Sequence, residues 1–582
     1  MSVPTRVDPI TTAVIAGALD SIAIEMGHKL ARMSYSSIIR ESEDFGTVIC
    51  DAEARQLCES PQSTPLQSGP IPGYLRGINR RFAELGEQWK PGDVVMHNHP
   101  YYGSSHGPDV GFFVPVFDQG VLVGFSGATA HHLDVGALTP GSCGIVDATD
   151  AYAEGLQLNA IKVEEEGRRN EWVWRILRDN IRMSEVVVAD MHAQIAAARI
   201  GADRFGELID RYGLATVQGA SNDLMDYSER VLRGEIEQLP DGTYSAEGRI
   251  DGYLDHPDPA YRDLPICASV TVEGSDIHVD LTGTAPQVDL PINMPFEGTV
   301  DIAISLVLRS ILLDSDTHEH VPTNSGLFRP IRITAPEGSL ANPRFPAPTI
   351  ARFVAGNIVA ETVMRALAPH VPEAVAASVG NLKVIASSGI RAGRHWVHMD
   401  IIEGSYGGRF GKDGLDAVDT LYANTRNNPM EDIESHLPLR ITRYELDEGS
   451  SGPGRWRGGL GSIRDTQFTE PGGFSIEADG NKWAPRGLFG GADGTPGAIV
   501  LNPGTEREES LPSKIPYRKV AAGDVIRTVG PSAGGYGDPR ERDPRVVHQD
   551  VLDGLLSEKT ARAQYPHYAE LGQPPPSATL AT

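Results

Sequence analysis

At 582 residues the chain is too long for one hydrophobic core, and at about 150 residues per domain its length points to roughly three or four. With 40% hydrophobic and 22% charged residues the composition is globular, which excludes a fibrous or wholly disordered chain. A formal charge of −27 opposes polyphosphate backbones and anionic membrane surfaces, because sequence-independent binding to either rests on clustered Lys and Arg.

The opening MSVPTRVDPITT lacks the apolar run and small-residue cleavage site of a secretory signal. The most apolar long run, Val300 to Leu313, is broken by Asp301 and Arg309 and falls short of the roughly 20 residues that cross a bilayer. A cytoplasmic protein without a membrane span is expected. Asp8-Pro9 reads as a helix cap followed by a first-turn proline. Val14, Ala18, Ile22, Met26, Leu30 and Met33 then recur every three or four residues, predicting a long amphipathic helix. A strand around Thr47 to Ile49, a Pro/Gln/Ser loop from Ser60 to Gly69 and a helix near Tyr74 to Leu85 follow, with a turn at Pro91-Gly92-Asp93. Val94–Met96, Phe112–Phe117 and Val121–Phe125 read as short strands joined by functional loops. Ser184 is placed to cap a helix through Val187, Met191, Ile195 and Ala198 that Gly201 can end, with a further helix to Tyr212-Gly213.

After the turn Pro240-Asp241-Gly242 the pattern changes. Ile266, Ala268, Val270 and Val272 alternate, as do Ile277, Val279 and Leu281, across a turn at Gly274-Ser275-Asp276. Helical patterns return at Thr299–Leu313 and Asn357–Leu367, and glycine loops with short strands fill the chain from about Ala376. Asp543-Pro544 starts a helix through Val547, Val551 and Leu555, and the closing GQPPPSATLAT reads as disordered. The expectation is a mixed α+β, multi-domain fold. Residues 1–240 form a helix-rich α/β region with the candidate metal site, 241–375 a β-rich middle with helices, and 376–582 a glycine-rich β/α region with a terminal helix and tail.

Of 17 histidines, five fall in one window, His97, His99, His106, His131 and His132, interleaved with Asp109 and Asp134. His106-Gly107-Pro108-Asp109 sets an imidazole and a carboxylate three apart in a loop whose turns can aim both at one point, and Ala130-His131-His132-Leu133-Asp134 repeats the pairing. Such a mixed N/O set suits Mn(II), Fe(II) or Zn(II), and an open position on the ion lowers the pKa of water or polarises a substrate oxygen. The alternative is a set of hydrogen-bonded loop histidines. Glu41, Glu43 and Asp44 are a second candidate, with a solvated acidic loop as the alternative. Cys50, Cys58, Cys143 and Cys267 lie far apart without a CxxC pair, so they read as small buried hydrophobes and not as disulfides or a thiolate zinc site. The glycine-rich stretches at 404–414, 454–461 and 487–497 lack the spacing or context of a phosphate or dinucleotide cradle and read as tight turns needing positive φ. No G-x-S-x-G elbow accompanies Ser142 or Ser405.

Read in order, ESEDFGTVICDAEARQL at 41–57, GDVVMHNHPYYGSSHGPDVGFFVPVF at 92–117 and AHHLDVGALTPGS at 130–142 resemble the hydantoinase B/oxoprolinase family. So do NTRNNPMEDIESHLPLRITRYEL at 424–446, GPGRWRGGLG at 452–461, RGLFGGADGTPG at 486–497 and GGYGDPRERDP at 534–544, so the resemblance covers nearly the whole chain. It implies the metal-bearing subunit of an ATP-dependent enzyme that opens a cyclic amide such as a hydantoin, 5-oxoproline or another lactam. It also implies a hetero-oligomeric partner, a hydantoinase A-type ATPase subunit with an actin/hexokinase-like fold, which uses ATP to phosphorylate the substrate oxygen. The divalent ion (Mn, Zn or Fe) is then expected on Asp44 of the EDF motif, His106 and Asp109 of HxxD, and His131 of AHH, with His132 a proton shuttle or an orienting neighbour. The same resemblance includes ATP-dependent carboxylases of acetone and aromatic ketones, the alternative activity. One departure is Asn98-His99-Pro100-Tyr101, where the family usually reads Asn-Asp-Pro, preceded here by His97.

Overall fold

The computed structural model describes residues 7–419 and 421–571. The first six residues and the closing GQPPPSATLAT lie outside these described residues. The architecture is mixed α+β with several separate sheets, as the sequence pattern implies.

Asp8 accepts from the amides of Ile10 and Thr11 and opens α1 (Pro9–Met33). α2 (Ser37–Arg40), β1 (Phe45–Asp51) and β2 (Gln56–Glu59) follow, then α3 (Pro65–Ser68), a single turn inside the expected loop, and α4 (Ile71–Leu85). β3 (Val94–His97), β4 (Asp109–Asp118), β5 (Val121–His131), β6 (Ile161–Glu165) and β7 (Arg168–Arg169) complete a seven-stranded sheet in the order β2-β1-β5-β4-β3-β6-β7. The β4–β5 hairpin turns over Gln119 and Gly120, both at positive φ (48° and 81°), the twist that matches right-handed strands. α5 (Glu171–Asn180), α6 (Ser184–Tyr212) and α7 (Leu214–Ile236) finish this part; α6 packs on β4 and β5, and α1 packs on α6 and α7.

Three expectations change here. The buried stripe of α1 is Ile15, Leu19, Ile22, Met26 and Leu30, whereas Val14 and Met33 are exposed. The same helix is long and apolar enough, by length and composition, to cross a membrane, which the interrupted run at 300–313 is not; in the fold its apolar stripe packs against protein. Gly201 does not end a helix: α6 continues through it to Tyr212. A Cβ at Gly201 would stand 2.3 Å from both Met26 Sδ and Ser126 Oγ, so the glycine lets α6 approach α1 and β5 closely. Ser184 is the first helical residue, and the chain enters through Met183 at φ 53° without a side-chain cap.

The middle of the chain builds a second sheet, β11-β10-β9-β8, from β8 (Gly242–Gly252), β9 (Arg262–Glu273), β10 (Asp276–Asp280) and β11 (Ile331–Thr334), with β10 and β11 parallel. The alternating Ile266, Ala268, Val270 and Val272 are all buried, and α9 (Phe353–Leu367) packs on β8, β9 and α8 (Asp301–Leu312). Beyond it, β12 (Val379–Gly380) pairs with β15 (Ser405–Tyr406), while β13 (Lys383–Arg391) and β14 (Arg394–Ile402) begin a sheet β14-β13-β18-β21. After α10 (Met430–His436), β16 (Leu439–Leu446), β17 (Ser462–Phe468), β18 (Gly472–Ala478), β19 (Ala498–Leu501), β20 (Glu509–Leu511), β21 (Lys514–Val520) and β22 (Val525–Val529) complete that sheet and a five-stranded one, β16-β17-β22-β19-β20. Ile385, Phe474 and Ile476 from the first share a core with Leu439, Phe468 and Ile526 from the second. Asp543 caps α11 (Pro544–Leu552), which stops before Leu555, and α12 (Glu558–Gln564) follows. The glycine-rich loops owe less to positive φ than expected: a Cβ at Gly458 would meet Ala533 O at 1.9 Å and one at Gly414 Tyr406 O at 2.1 Å, so these loops pack backbone on backbone.

Because the Gly201 crossing has no room for a side chain, Gly201→Val is expected to lower stability by about 1–3 kcal/mol in denaturant titration, despite the better helix propensity of valine.

Candidate metal centre

Strand register assembles the site. In the β4–β5 pair Asp109 lies directly opposite His131, and in the β1–β5 pair Phe45 lies opposite Ala130, so Asp44 falls beside His131 and its carbonyl accepts the His131 amide at 3.1 Å. Cross-strand partners share a face, so Asp44, His131 and Asp109 project side by side from one end of three neighbouring strands. His106 joins them from the tight loop before β4. Of the acidic trio only Asp44 turns inward: Glu41 pairs with Arg40, and Glu43, at φ 55°, pairs with Arg426.

All four side chains are buried. Asp109 Oδ1 lies 2.9 Å from His131 Nδ1 and 3.0 Å from His106 Nε2, the two imidazole nitrogens are 3.3 Å apart, and Asp44 Oδ2 is 4.0 Å from His131 Nδ1. His106 Nδ1–H donates to Ile350 O at 2.8 Å, which fixes the tautomer and leaves Nε2 with its lone pair toward the carboxylates. The Gln67 amide donates to both Asp44 Oδ1 (3.1 Å) and Asp109 Oδ1 (2.8 Å), and Thr64 Oγ donates to Asp44 Oδ1 at 3.2 Å. The other oxygen of Asp109 takes the Ser105 hydroxyl and, at 3.2 Å, Arg352 Nη2.

Burial opposes ionisation of Asp109, yet His106, His131 and Arg352 outweigh it and hold its carboxyl well below the usual range. Burial likewise opposes a charge on His131, but Cys143 and Asp109 raise its pKa well above the ordinary imidazole value. Burial pushes Asp44 up to about 6 and, helped by Arg352, holds His106 down to about 4. A ring that keeps a proton only because of such neighbours is one from which a cation can displace that proton. Two imidazoles and two carboxylates within 4.0 Å along the chain of contacts just described therefore fit a divalent ion.

The adjoining cavity, about 30 Å³, is lined by Asp44, His106, His131, Cys143 and Arg352 together with apolar groups that include Leu66, Leu382, Val384, Met399 and Ile401. Cys143, read from sequence as a remote apolar filler, lies 3.7 Å from His131 Nε2, and His106, His131 and Cys143 can present donors within 4.8 Å of one another. A single His131 ring divides these sets, because its Nδ1 edge faces the carboxylates and its Nε2 edge faces Cys143 and Ser142 Oγ, the latter at 2.7 Å.

His132 is not brought to this point. One residue on from the end of β5, it turns to the opposite face, where Nε2–H donates to Gln194 Oε1 of α6 at 2.8 Å. The remaining histidines of the window hold local structure. His97 bonds Tyr102 O at 3.1 Å and the Ala160 amide at 3.1 Å, and His99 accepts the Tyr101 amide at 3.3 Å and packs edge-on to Tyr102. Asp134 serves Arg182 and the Gly136 amide. Sequence reasoning missed Gln67 and Arg352. The one signal for Arg352 is a charge interrupting the apolar run Ile350-Ala351-Arg352-Phe353-Val354-Ala355.

The hydantoinase B/oxoprolinase family model matches residues 8–539, carrying all of these groups. The chain belongs to that family. The B-type component of a putative D-/L-hydantoinase from Pseudomonas sp. (strain NS671) is 61% identical over 562 residues, 96% of this chain and 95% of that one. The crystal structure of ATP-dependent caprolactamase from Pseudomonas jessenii superposes with a TM-score of 0.87 at 28% identity, covering 96% of each chain. A nucleotide-free acetone carboxylase structure gives a TM-score of 0.86 over 96% of this chain and 79% of that one; at 17% identity it shows a common fold alone.

If Asp44, His106, Asp109 and His131 are the ligands, His106→Ala and Asp109→Asn each lower the divalent-metal content of this hydantoinase B/oxoprolinase chain at least about tenfold by mass spectrometry, whereas Cys143→Ser leaves it unchanged. Gln67→Leu, which removes no ligand, is expected to weaken metal affinity by about 10- to 100-fold.

Proposed function

We propose that this chain is the metal-bearing subunit of an ATP-dependent cyclic amidohydrolase, which opens a hydantoin, 5-oxoproline or lactam ring after a hydantoinase A-type partner subunit phosphorylates the amide oxygen. The observation that carries the reading is the convergence of Asp44, His106, Asp109 and His131 beside a cavity that Asp44, His106 and His131 line together with Leu382, Val384, Met399 and Ile401. The relatives, a hydantoinase component and an ATP-dependent caprolactamase, support the same class.

Asp44, His106, Asp109 and His131 would hold the ion, which when bound supplies Lewis acidity toward water or a substrate oxygen. The rest is done by protein groups. Gln67 ties the two carboxylates together, and the Ile350 carbonyl holds His106 in its tautomer. Leu382, Val384, Met399 and Ile401 offer an apolar wall for the methylenes of a ring and keep bulk water away from the amide carbon. A space of about 30 Å³ holds about two waters, so seating a ring requires the wall to open. Met399, unbranched and with three rotatable side-chain bonds, is the side chain best able to yield. His132, bonded to Gln194 on the far side of β5, orients that strand end and does not carry protons to the cavity.

The test is a turnover screen of hydantoins, 5-oxoproline and simple lactams with the co-purified partner subunit and ATP. Ring opening without bicarbonate is expected, and His106→Ala should reduce it by at least about a hundredfold while the complex stays assembled. ATP use that depends on bicarbonate and a ketone would replace this reading with that of a carboxylase, and an unchanged rate in the His106→Ala complex would leave the chain a scaffold.

A further inference from the structure

Arg352 is the largest charged side chain in the site, and its surroundings do not use it up. It stands just before α9 with 1% of its surface exposed and lines the same cavity as Asp44, His106 and His131. A guanidinium has five N–H donors. Nη2 donates to Asp109 Oδ2 and Ser105 Oγ, each at 3.2 Å, while Nε has no hydrogen-bond partner among the described residues. An unused donor on a fully buried cation is costly unless a ligand takes it up.

The charges make the same point. Asp44 and Asp109 balance one divalent ion, and His106 and His131 are neutral as ligands. Arg352 then adds a positive charge that neither of those carboxylates is left to offset. Glu477 is another buried acid near it; burial raises its carboxyl to about 7, against the pull of Arg352, and its Oε2 has no partner among the described residues. At the cavity lining Arg352 thus offers a donor and a charge that a small anion can meet.

We propose that Arg352 binds the phosphoryl oxygens of the activated substrate, or of the phosphate that departs from it, and so selects phosphorylated amides over free ones at this centre. The proposal rests on the amidohydrolase reading for its substrate but not for its anion site. Arginine suits the task because its planar fork meets two phosphoryl oxygens at once, whereas lysine supplies a point charge. The competing role is purely positional, with Arg352 doing no more than orient Asp109.

Inorganic phosphate and methylphosphonate, titrated calorimetrically into the metal-loaded complex, separate these roles. Both anions are expected to bind the wild type. Arg352→Gln should weaken them at least tenfold and Arg352→Lys less, with the metal content of Arg352→Lys unchanged. Binding of phosphate but not methylphosphonate assigns the site to the departing phosphate, and binding of both to the ester as well. Unchanged anion affinity in Arg352→Gln overturns the proposal and leaves the amidohydrolase reading intact, as does a loss that merely tracks loss of metal. Arginine-dependent phosphate binding in a complex that opens no cyclic amide keeps the anion site and overturns the amidohydrolase reading. Should Arg352→Gln fail to fold, Arg352→Lys and Ser105→Ala decide: Ser105→Ala frees Nη2 of one acceptor and is expected to keep anion affinity, and equal affinity in Arg352→Lys and wild type overturns the proposal.

Discussion

Everything at the centre depends on the register between β5 and its two neighbours. Asp109 stands opposite His131, and Phe45 opposite Ala130, so three functional side chains from distant parts of the chain emerge at one sheet end on one face. A slip of one residue in either pairing would send its side chain to the other face. The register is held by burial on both sides: α6 packs on β4 and β5, and Phe112, Phe113, Phe125 and Ala128 along these strands are fully buried. The same alternation explains the separate fates of two adjacent imidazoles, His131 facing the cavity and His132 facing Gln194.

A cluster of two carboxylates, two imidazoles and a guanidinium, all buried, is stable only if each charge is answered by another or by a hydrogen bond. The bonds from Gln67, Thr64, Ser105 and Arg352 do this for the carboxylates, and the Ile350 carbonyl does it for His106. Apart from Ser105, which directly precedes the HxxD motif, these orienting groups come from segments that carry no candidate ligand of their own. They are also why the four donors sit close together as a set instead of turning away from one another.

Much of this was legible in the sequence because it follows from local patterns. The Asp8 cap, the alternation in β9, the strands around the histidine window and the HxxD and AHH spacings are all properties of a few consecutive residues. What failed depends on partners far along the chain. Gly201 looked like a helix end because glycine is a poor helix former, and only the crossing with Met26 and Ser126 shows why it sits mid-helix. Cys143 looked inert because no other cysteine is near in sequence, yet the loop after β5 folds back to place it against His131. Arg352 and Gln67 carry no motif at all, and their roles come entirely from the fold.

The cavity also ties the chain into one functional unit. Asp44, Leu66, His106, His131 and Cys143 come from the first part of the chain, Arg352 and Phe353 arrive from the segment that starts α9, and the rest of the lining is supplied by Leu382, β13, β14 and the stretch holding Ala423 and Thr425. One continuous apolar cluster, from Leu30 to Ala423, joins these contributions. The cluster of carboxylates and imidazoles at the sheet end, left uncovered, would face water that competes with every charge. By closing over it with leucine, valine, isoleucine and methionine from a distant sheet, the fold lowers the local dielectric and makes each remaining charge, Arg352 above all, count for more.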